Sequence, residues 1–193
     1  MRVKLSPESL LHAYRQGFFP MPNVLGVIQW HQPDPRAILP LDQFHASRSL
    51  QRTLRKNVFQ ITYNQDFLGV MNGCADRKPT WITPEFLRAY GELHARGHAH
   101  SVEVWQDGAL VGGTYGVQIG GAFFAESKFH RATDASKVAL AKLVERLNER
   151  QFALLEVQYL TPHLAQFGVI EIPHRAYERR LAAAVALQRQ FAP

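Results

Sequence analysis

The segment at residues 120–137, GGAFFAESKFHRATDASK, constrains the fold more than any other stretch of the chain. Its apolar run at residues 122–124 predicts a buried strand, Glu126 follows at the end of that strand, and a helix begins a few residues later. A carboxylate directly after two aromatic residues is expected at the rim of an apolar cavity, where burial raises its pKa unless a cation or donors hold the charge. Such a position suits recognition of a cation or proton transfer. The alternative is a solvated ion pair between Glu126 and Lys128 or Arg131.

The segments around this one predict an α+β fold, with a mixed sheet flanked by helices. Residues 100–105 and 109–119 alternate as strands, and Asp107-Gly108 joins them in a hairpin. Residues 134–150 predict an amphipathic helix, and FALLEVQ at 152–158 is apolar enough for a central strand. The patterns also predict helices at 6–17, 83–96, 161–168 and 173–190, and strands at 24–30, 58–63 and 169–172.

The turn-rich segment HQPDPR, residues 31–36, predicts a domain boundary near residue 35. Residues 1–35 would form a small N-terminal α/β domain, in which FFPMP at 18–22 is expected to make a rigid apolar corner. Residues 36–193 would form the larger domain that contains the sheet.

The composition indicates a globular protein and allows a reducing compartment. Hydrophobic residues make up 46% of the 193 residues, enough for a core, and Cys74 is the single cysteine, so no internal disulfide can form. No apolar run approaches the ~18 residues of a membrane span, and the N-terminal MRVKLSPESL lacks the apolar core of a signal peptide. We therefore expect a cytoplasmic protein with no membrane partner. The net charge of +6 favours a polyanionic partner.

Four cations share one face of a predicted helix in SRSLQRTLRK. They are Arg48, Arg52, Arg55 and Lys56, and no Asp or Glu occurs between Asp42 and Asp66. Like charges so placed repel each other, and phosphates would relieve that repulsion with release of condensed counterions. The alternative is an ordinary solvated helix face.

Several familiar sites are missing from the sequence. There is no GxxxxGK[ST] phosphate loop, no HExxH motif and no GxSxG elbow, and Cys74 lacks a local signature of a nucleophile. His94, His98 and His100 come nearest to a metal set, but they run from a helix end through a glycine turn into a strand. We therefore expect no metal site.

Glu156 and Gln158 end the predicted central strand, where residues two apart project from the same face. A carboxylate beside an amide can orient and polarise it, and the amide oxygen can then accept a proton from an amine. The alternative is a pair of polar residues where the strand leaves the core.

Motifs along most of the chain, from about residue 10 to 181, closely resemble those of the leucyl/phenylalanyl-tRNA–protein transferases, the bacterial enzymes of the N-end rule. In chain order they are AYRQGFFP, PDPRAIL, HASRSLQR, GCADR, TWIT, HAHSVEVW, LVGGTYGV, AESKF, ASKVAL, and Gln158 with the TPHL that follows it. The resemblance implies an acetyltransferase-like (GNAT-like) C-terminal domain behind a small N-terminal one. It also implies transfer of Leu or Phe, with Met as a further option, from tRNA to a protein that begins with Arg or Lys, which marks that protein for degradation.

The resemblance further implies roles for particular residues. Glu156 and Gln158 match the acid and glutamine proposed to extract a proton from the attacking α-amine, and Glu126 matches the acid that holds the basic acceptor. Trp81 matches a tryptophan at the terminal adenosine of the tRNA. The walls of the apolar pocket for Leu or Phe are matched by Phe123, Leu140, Leu143 and Leu155. The cluster Arg48, Arg52, Arg55 and Lys56 matches the one that receives the tRNA stem. The implied partners are Leu-tRNA, Phe-tRNA and acceptor proteins, not DNA, and aminoacyl-tRNA is a co-substrate with no further cofactor.

The chain departs from the family pattern at four positions. Glu156 replaces the usual aspartate, and Met21 replaces the usual tryptophan that stacks on the adenosine. Thr114 and Lys128 each replace a methionine, the first in the wall of the pocket. These differences affect the expected amino-acid preference and the expected rate of transfer, but they do not change the expected fold or reaction class.

Two rival functions stay open. An acetyltransferase that uses acetyl-coenzyme A would need a glycine-rich pyrophosphate loop, but the segment before the predicted helix at 134–150 reads SKFHRATD and has no glycine. A non-catalytic tRNA-binding module would explain the basic charge equally well, but it would leave the acids and the glutamine without a role.

Overall fold

A computed structural model describes residues 5–23 and 25–192. The first four residues and Val24, where the predicted strand at 24–30 begins, lie outside that range. The helices are α1 (Pro7–Arg15), α2 (Arg48–Lys56), α3 (Phe67–Ala75), α4 (Pro84–Ala95), α5 (Ala135–Glu149), α6 (Pro162–Ala165) and α7 (His174–Val185). The strands are β1 (Phe19–Pro22), β2 (Ile28–His31), β3 (Arg36–Ile38), β4 (Gln60–Tyr63), β5 (Ala99–Gln106), β6 (Ala109–Ile119), β7 (Ala122–His130), β8 (Leu154–Gln158) and β9 (Ile170–Ile172).

Seven strands form one mixed sheet in the order β4-β5-β6-β7-β8-β3-β9, and β1 pairs with β2 in a separate antiparallel ribbon. Neighbouring strands of the large sheet are antiparallel except β7 and β8, which are parallel and are joined through α5. This is the connection that parallel neighbours require. The predicted α+β class, a mixed sheet flanked by helices, is confirmed. The division at residue 35 stays a prediction.

Two apolar clusters cover the two faces of the sheet. The first contains Phe124 and packs against α1, α3, α4 and α7, whereas the second contains Phe123 and packs against α5. Neighbouring residues of a strand point to opposite faces, so β7 contributes to both clusters. The amphipathic pattern of α5 predicts its buried side, where Leu143 and Leu147 are fully buried.

The sheet opens beside Glu126. Strands β7 and β8 are paired only from Ala122 and Leu154 to Phe124 and Glu156. Beyond that point β7 continues along β6 and β8 continues along β3. A bulge in β7 leaves Glu126 without a partner on β6, because Ala125 pairs with Gly116 and Ser127 with Tyr115. A bulge of this kind re-aims a side chain, and here it turns Glu126 toward α1 and α4.

Several predicted elements are wrong in extent or kind. Strand β7 runs to His130, so Glu126 lies within the strand and not at its end. The expected corner at 18–22 is a strand, β1, whose prolines are tolerated in a two-stranded ribbon. The short strand β3 begins inside the expected hinge, and α7 ends at Val185 and not near residue 190.

Helix α3 was not predicted, because two glycines within FLGVMNGCA weaken its helical pattern. At Gly73 a Cβ atom would lie 2.6 Å from the ring of Phe129, so this glycine lets the helix pack directly onto β7. Close packing therefore outweighs helix propensity at this position.

Candidate active site

The Glu126 carboxylate is held by a network of neutral donors. Tyr14 of α1 donates its hydroxyl to Glu126 Oε1 at 2.6 Å, and the Tyr90 hydroxyl of α4 lies 2.6 Å from that of Tyr14 and 3.4 Å from Oε2. The Gln158 side-chain amide donates to Oε1 at 3.4 Å. Burial raises the pKa of Glu126 to about 8, although the hydrogen bond from Tyr14 acts against that shift.

No cation pairs with Glu126 within the described residues. The alternative of an ion pair with Lys128 or Arg131 is wrong, because the Arg131 guanidinium lies 3.4 Å from Asp76 and Lys128 forms no salt bridge in the same range. The carboxyl group is thus half-buried at the cavity without a positive partner in the same range, a condition that a cationic ligand would relieve.

Glu156 is placed quite differently. Its side chain is fully buried, and its Oε1 accepts a hydrogen bond from the Arg36 Nε at 2.7 Å. The same Oε1 accepts the main-chain N–H of Gln158 at 2.5 Å. Burial raises the pKa of Glu156, with the guanidinium of Arg36 acting against that shift. An arginine stays protonated in a protein, so an ionised Glu156 gives the pair no net charge.

Gln158 connects the two acids. Its main-chain φ is 61°, in the left-handed region that few residues other than glycine adopt. This conformation follows a bulge where β8 pairs with β3, and it directs the Gln158 amide toward Glu126. The structure thus brings Glu126 of β7 together with Glu156 and Gln158 of β8. The sequence suggested a contact between Glu156 and the side-chain amide of Gln158. In the structure, Glu156 instead contacts the main-chain N–H of Gln158.

A cavity of about 410 Å³ opens beside Glu126, where β7 and β8 part. It is lined by Glu126, Ser127, Lys128 and His130 of β7, by Ser136 of α5, and by Arg77 and His163. Burial lowers the pKa of Lys128 in its wall. A larger hollow, of about 740 Å³, is a surface groove beside the C-terminal segment and contains none of the predicted site residues. The cavity at Glu126 is therefore the relevant one.

The predicted walls of the apolar pocket lie in the core. Their side chains are between 0 and 4% exposed, and they are Phe123, Leu140, Leu143, Leu155 and Thr114. The Thr114 hydroxyl donates to the main-chain carbonyl of Ser127 at 2.9 Å, so the polar residue that replaces a methionine is satisfied internally. None of the five lines the 410 Å³ cavity. The space between them is closed in this structure.

Trp81 and Met21 are partly buried against the first apolar cluster. Trp81 precedes α4 and meets the Phe86 ring edge-on, with centroids 5.2 Å apart. Met21 belongs to the β1–β2 ribbon. Tyr159, directly after Gln158, is 45% exposed and packs edge-on against Phe19 of the same ribbon. The ribbon thus lies next to the end of β8.

Helix α2 presents its predicted cations to solvent. Arg48, Arg52, Arg55 and Lys56 are all exposed, and none of them forms a salt bridge in the part of the chain that the structure describes. Leu50 anchors the opposite side in the second apolar cluster. Thr53 donates to Asp134 Oδ2 at 3.2 Å, which places α2 beside the N-terminus of α5.

Three residues of the site were missed by the sequence interpretation. Tyr14 and Tyr90 lie in predicted helices whose patterns give them no role beyond packing, and Arg36 ends the turn-rich segment at 31–36. The one sequence signal for Arg36 is its place directly before the apolar run at 37–39. An apolar run of this kind is unusual in a solvated turn, so a charged residue beside it can be buried.

Within the described residues, no group of three or more His, Cys, Asp or Glu side chains could hold a metal ion. Their helices include none that is long and apolar enough to cross a membrane.

Comparison with known proteins identifies the class of this enzyme. Residues 38–182 match the family model for leucyl/phenylalanyl-tRNA protein transferase, and residues 4–34 match the model for its N-terminal domain. Leucyl/phenylalanyl-tRNA–protein transferases from Gloeobacter violaceus and Herpetosiphon aurantiacus are 53% and 51% identical, each over 99% of this chain and 100% of the relative. Among solved structures, a ribosomal-protein-alanine N-acetyltransferase from Brucella melitensis matches with 16% identity and a TM-score of 0.40, over 67% of this chain and 94% of that one.

The chain is therefore an aminoacyltransferase. It belongs to the leucyl/phenylalanyl-tRNA protein transferase family.

Proposed function

We propose that this protein transfers Leu or Phe from aminoacyl-tRNA to the α-amine of proteins that begin with Arg or Lys. The observation that carries the proposal is Glu126, a carboxylate at a cavity with no cation partner among the described residues. The guanidinium or ammonium of an acceptor side chain would supply the missing charge. Glu126 would thereby select a basic first residue, and the product would carry the degradation signal of the N-end rule.

The chemistry needs no energy source beyond the ester. The neutral α-amine attacks the carbonyl carbon of the aminoacyl ester, a C–N bond forms, and the bond to the ribose oxygen breaks. That oxygen takes up a proton as the amine loses one. The ordinary pKa of a peptide α-amine is ~8, so a sizeable fraction is neutral at physiological pH. Aminoacyl-tRNA is thus a co-substrate, and we expect no metal or further cofactor.

Gln158 is the residue best placed to act on the amine. Its amide lies 3.4 Å from Glu126, so an acceptor whose side chain pairs with Glu126 would bring its α-amine near the amide oxygen. That oxygen would orient the amine and accept a hydrogen bond from it during attack. Positioning of this kind supplies most of the rate when the substrate is already activated.

The Leu or Phe side chain would enter the second apolar cluster from the cavity, between β7 and α5. A pocket walled by Phe123, Leu140, Leu143 and Leu155 would distinguish side chains by size and only modestly. Because the space is closed in this structure, entry would require these side chains to move. Trp81 and Met21 would contact the terminal adenosine, with less stacking from Met21 than an aromatic residue would provide.

The decisive experiment mixes the protein with Leu-tRNA or Phe-tRNA and a peptide that begins with Arg, and detects the extended peptide by mass. We expect product with Arg and Lys peptides, and none with an Asp peptide or an Nα-acetylated Arg peptide. Binding of the tRNA without any product would indicate a non-catalytic tRNA-binding module. Tight binding of coenzyme A would favour an acetyltransferase. Because charged tRNA is a cytoplasmic molecule, the activity would belong to the cytoplasm.

The role of α2 in tRNA binding is tested by Arg48→Ala with Arg52→Ala. Exposed cations without carboxylate partners fit phosphates, and their contacts to a stem would be largely independent of sequence. The double variant should weaken tRNA binding and lower the slope of log K against log salt by roughly one for each lost contact. Arg175→Ala with Arg179→Ala, on the exposed side of α7, removes the same charge elsewhere. Equal effects of the two pairs would mean that α2 contributes only net charge.

A further inference from the structure

Arg36 is the largest fully buried side chain of the described residues, and it makes contacts with three parts of the fold. Its Nε donates to Glu156 of β8, and its Nη1 donates to the main-chain carbonyl of Gly17, at the end of α1, at 2.9 Å. The guanidinium also contacts the rings of Phe19 and Tyr177, with centroids 5.0 and 4.6 Å away. Few rotamers satisfy all of these contacts, so the guanidinium is held in place.

Glu156 has no path to a substrate in this arrangement. Its side chain is 0% exposed, and it does not line the cavity at Glu126. One oxygen, Oε1, accepts both the Arg36 Nε–H and the main-chain N–H of Gln158. The position of the cation is thereby coupled through a single atom to the backbone of Gln158, which adopts the left-handed conformation with φ of 61°.

We infer that Arg36 is a positioning residue of the transfer reaction, because it fixes the ionised Glu156 carboxylate, which holds Gln158 in the conformation that directs its amide toward Glu126. The inference rests on the proposed function and adds a residue to it. Glu156 acts in this scheme as a fixed anion and not as a base that touches the amine. The opposing hypothesis is that Arg36 only stabilises the fold by neutralising a buried acid.

The two hypotheses differ in pH dependence. Without the cation, burial of Glu156 is opposed only by the main-chain N–H of Gln158, so the pKa of Glu156 should rise and its carboxyl group should ionise at a higher pH than in wild type. Among the described residues, the other titratable groups near Glu156 are Glu126 of β7 and Tyr177 of α7, and neither carries a positive charge that could replace Arg36. Turnover of an Arg36 variant should therefore recover with rising pH, an effect that a purely structural loss would not produce.

The test compares Arg36→Met with wild type, at saturating Leu-tRNA and Arg peptide, from pH 6 to 9. We expect kcat at pH 7 to fall roughly 100-fold, the loss typical of a misplaced group, with KM for both substrates within about threefold. The deficit should shrink as the pH rises. In Arg36→Met with Glu156→Gln the buried acid is absent, so its deficit should stay constant with pH. Arg36→Lys, which restores a charge without the Nε geometry, should recover part of kcat at pH 7.

Each other outcome has a defined meaning. Wild-type protein without product in any assay would contradict the proposed function itself. An active wild type whose Arg36→Met variant loses the same fraction of kcat at every pH, like the double variant, would overturn the inference and leave a structural role. If circular dichroism shows that Arg36→Met is unfolded, the profile of Arg36→Lys decides in its place. A kcat of Arg36→Lys equal to that of wild type at every pH would then contradict the inference.

Discussion

Glu126 and Glu156 lie on neighbouring strands of one sheet, the first half-buried and the second fully buried, and their partners differ. Glu156 has a permanent cation, Arg36, at 2.7 Å. Among the described residues, Glu126 forms hydrogen bonds with neutral groups, the tyrosine hydroxyls and the Gln158 amide, and it faces a cavity. The fold supplies a cation to one acid and leaves the charge of the other to a ligand. The first is suited to holding geometry and the second to recognising charge.

The largest expected effect is that of Glu156→Ala. Removal of the acid leaves Arg36 buried and unpaired, which costs about 3–5 kcal/mol of stability, and it releases the backbone of Gln158. We expect the rate constant of transfer in single-turnover assays to fall by about 1000-fold. The tRNA affinity in filter binding should stay within about threefold of wild type. Glu156→Asp, which keeps the charge one methylene shorter, should lose less. Equal losses of turnover and tRNA affinity would contradict the assigned role.

The change at the other acid, Glu126→Gln, should weaken binding of the acceptor peptide. Loss of a partly desolvated ion pair is worth about 2–3 kcal/mol, so kcat/KM for an Arg peptide should fall roughly 100-fold, mostly through KM. The preference for Arg over Ala at the first position should disappear with it. Asp76→Asn is the matched control, because it removes an exposed carboxylate that pairs with Arg131. If Glu126→Gln kept the wild-type preference for Arg over Ala, another group would be the one that recognises the first residue of the acceptor.

This division between the two acids could be predicted only in part from the sequence. The hairpin of β5 and β6, the helix α5 and the apolar β8 have strong periodic patterns, so the class of fold and the two strands that carry Glu126 and Gln158 were predictable. The bulge at Glu126 was not, because the pattern of residues 122–130 gives no sign of an extra residue. Helix α3 and the short strand β3 were not predictable either. Glycines weaken the helical pattern of α3, turn residues precede β3, and packing outweighs these local preferences in the fold.

The partners of the acids depend on contacts between residues distant in the chain. Tyr14 is 112 residues from Glu126, and Arg36 is 120 residues from Glu156. Local propensity contains no information on such pairs. A single sequence therefore indicates which residues carry the chemistry, whereas the charge state of each requires the fold.

The contrast should also be visible in the pH dependence of stability. The pKa of Glu126 is raised from 4.5 to about 8, so the folded state binds a proton that the unfolded state has already released. Its contribution to the free energy of unfolding is fully present below pH 4.5 and is lost as the pH rises to about 8, by up to ~1.4 kcal/mol per pH unit.

Urea unfolding from pH 5 to 8 measures this slope. Glu126→Gln has no carboxyl group to titrate, so its curve should lack the decline that wild type shows. Asp76→Asn should keep the decline, because it leaves Glu126 unchanged. Identical curves for wild type and Glu126→Gln would mean that the donors around Glu126 fully stabilise its charge.

The smallest expected effect is that of Tyr14→Phe, which removes the closest donor to Glu126. The hydroxyl is 2.6 Å from Oε1 and holds the pKa of the acid down, so its loss should raise that pKa further and cost about 1 kcal/mol in acceptor binding at neutral pH. We expect KM for an Arg peptide to rise about fivefold at pH 7 and to approach wild type near pH 9, where Glu126 is ionised in both proteins. Tyr90→Phe should have a weaker effect, since its hydroxyl lies 3.4 Å from Oε2. If Tyr90→Phe raises KM more than Tyr14→Phe does, the acceptor cation reaches Glu126 from the side of α4, and Tyr14 only packs beneath it.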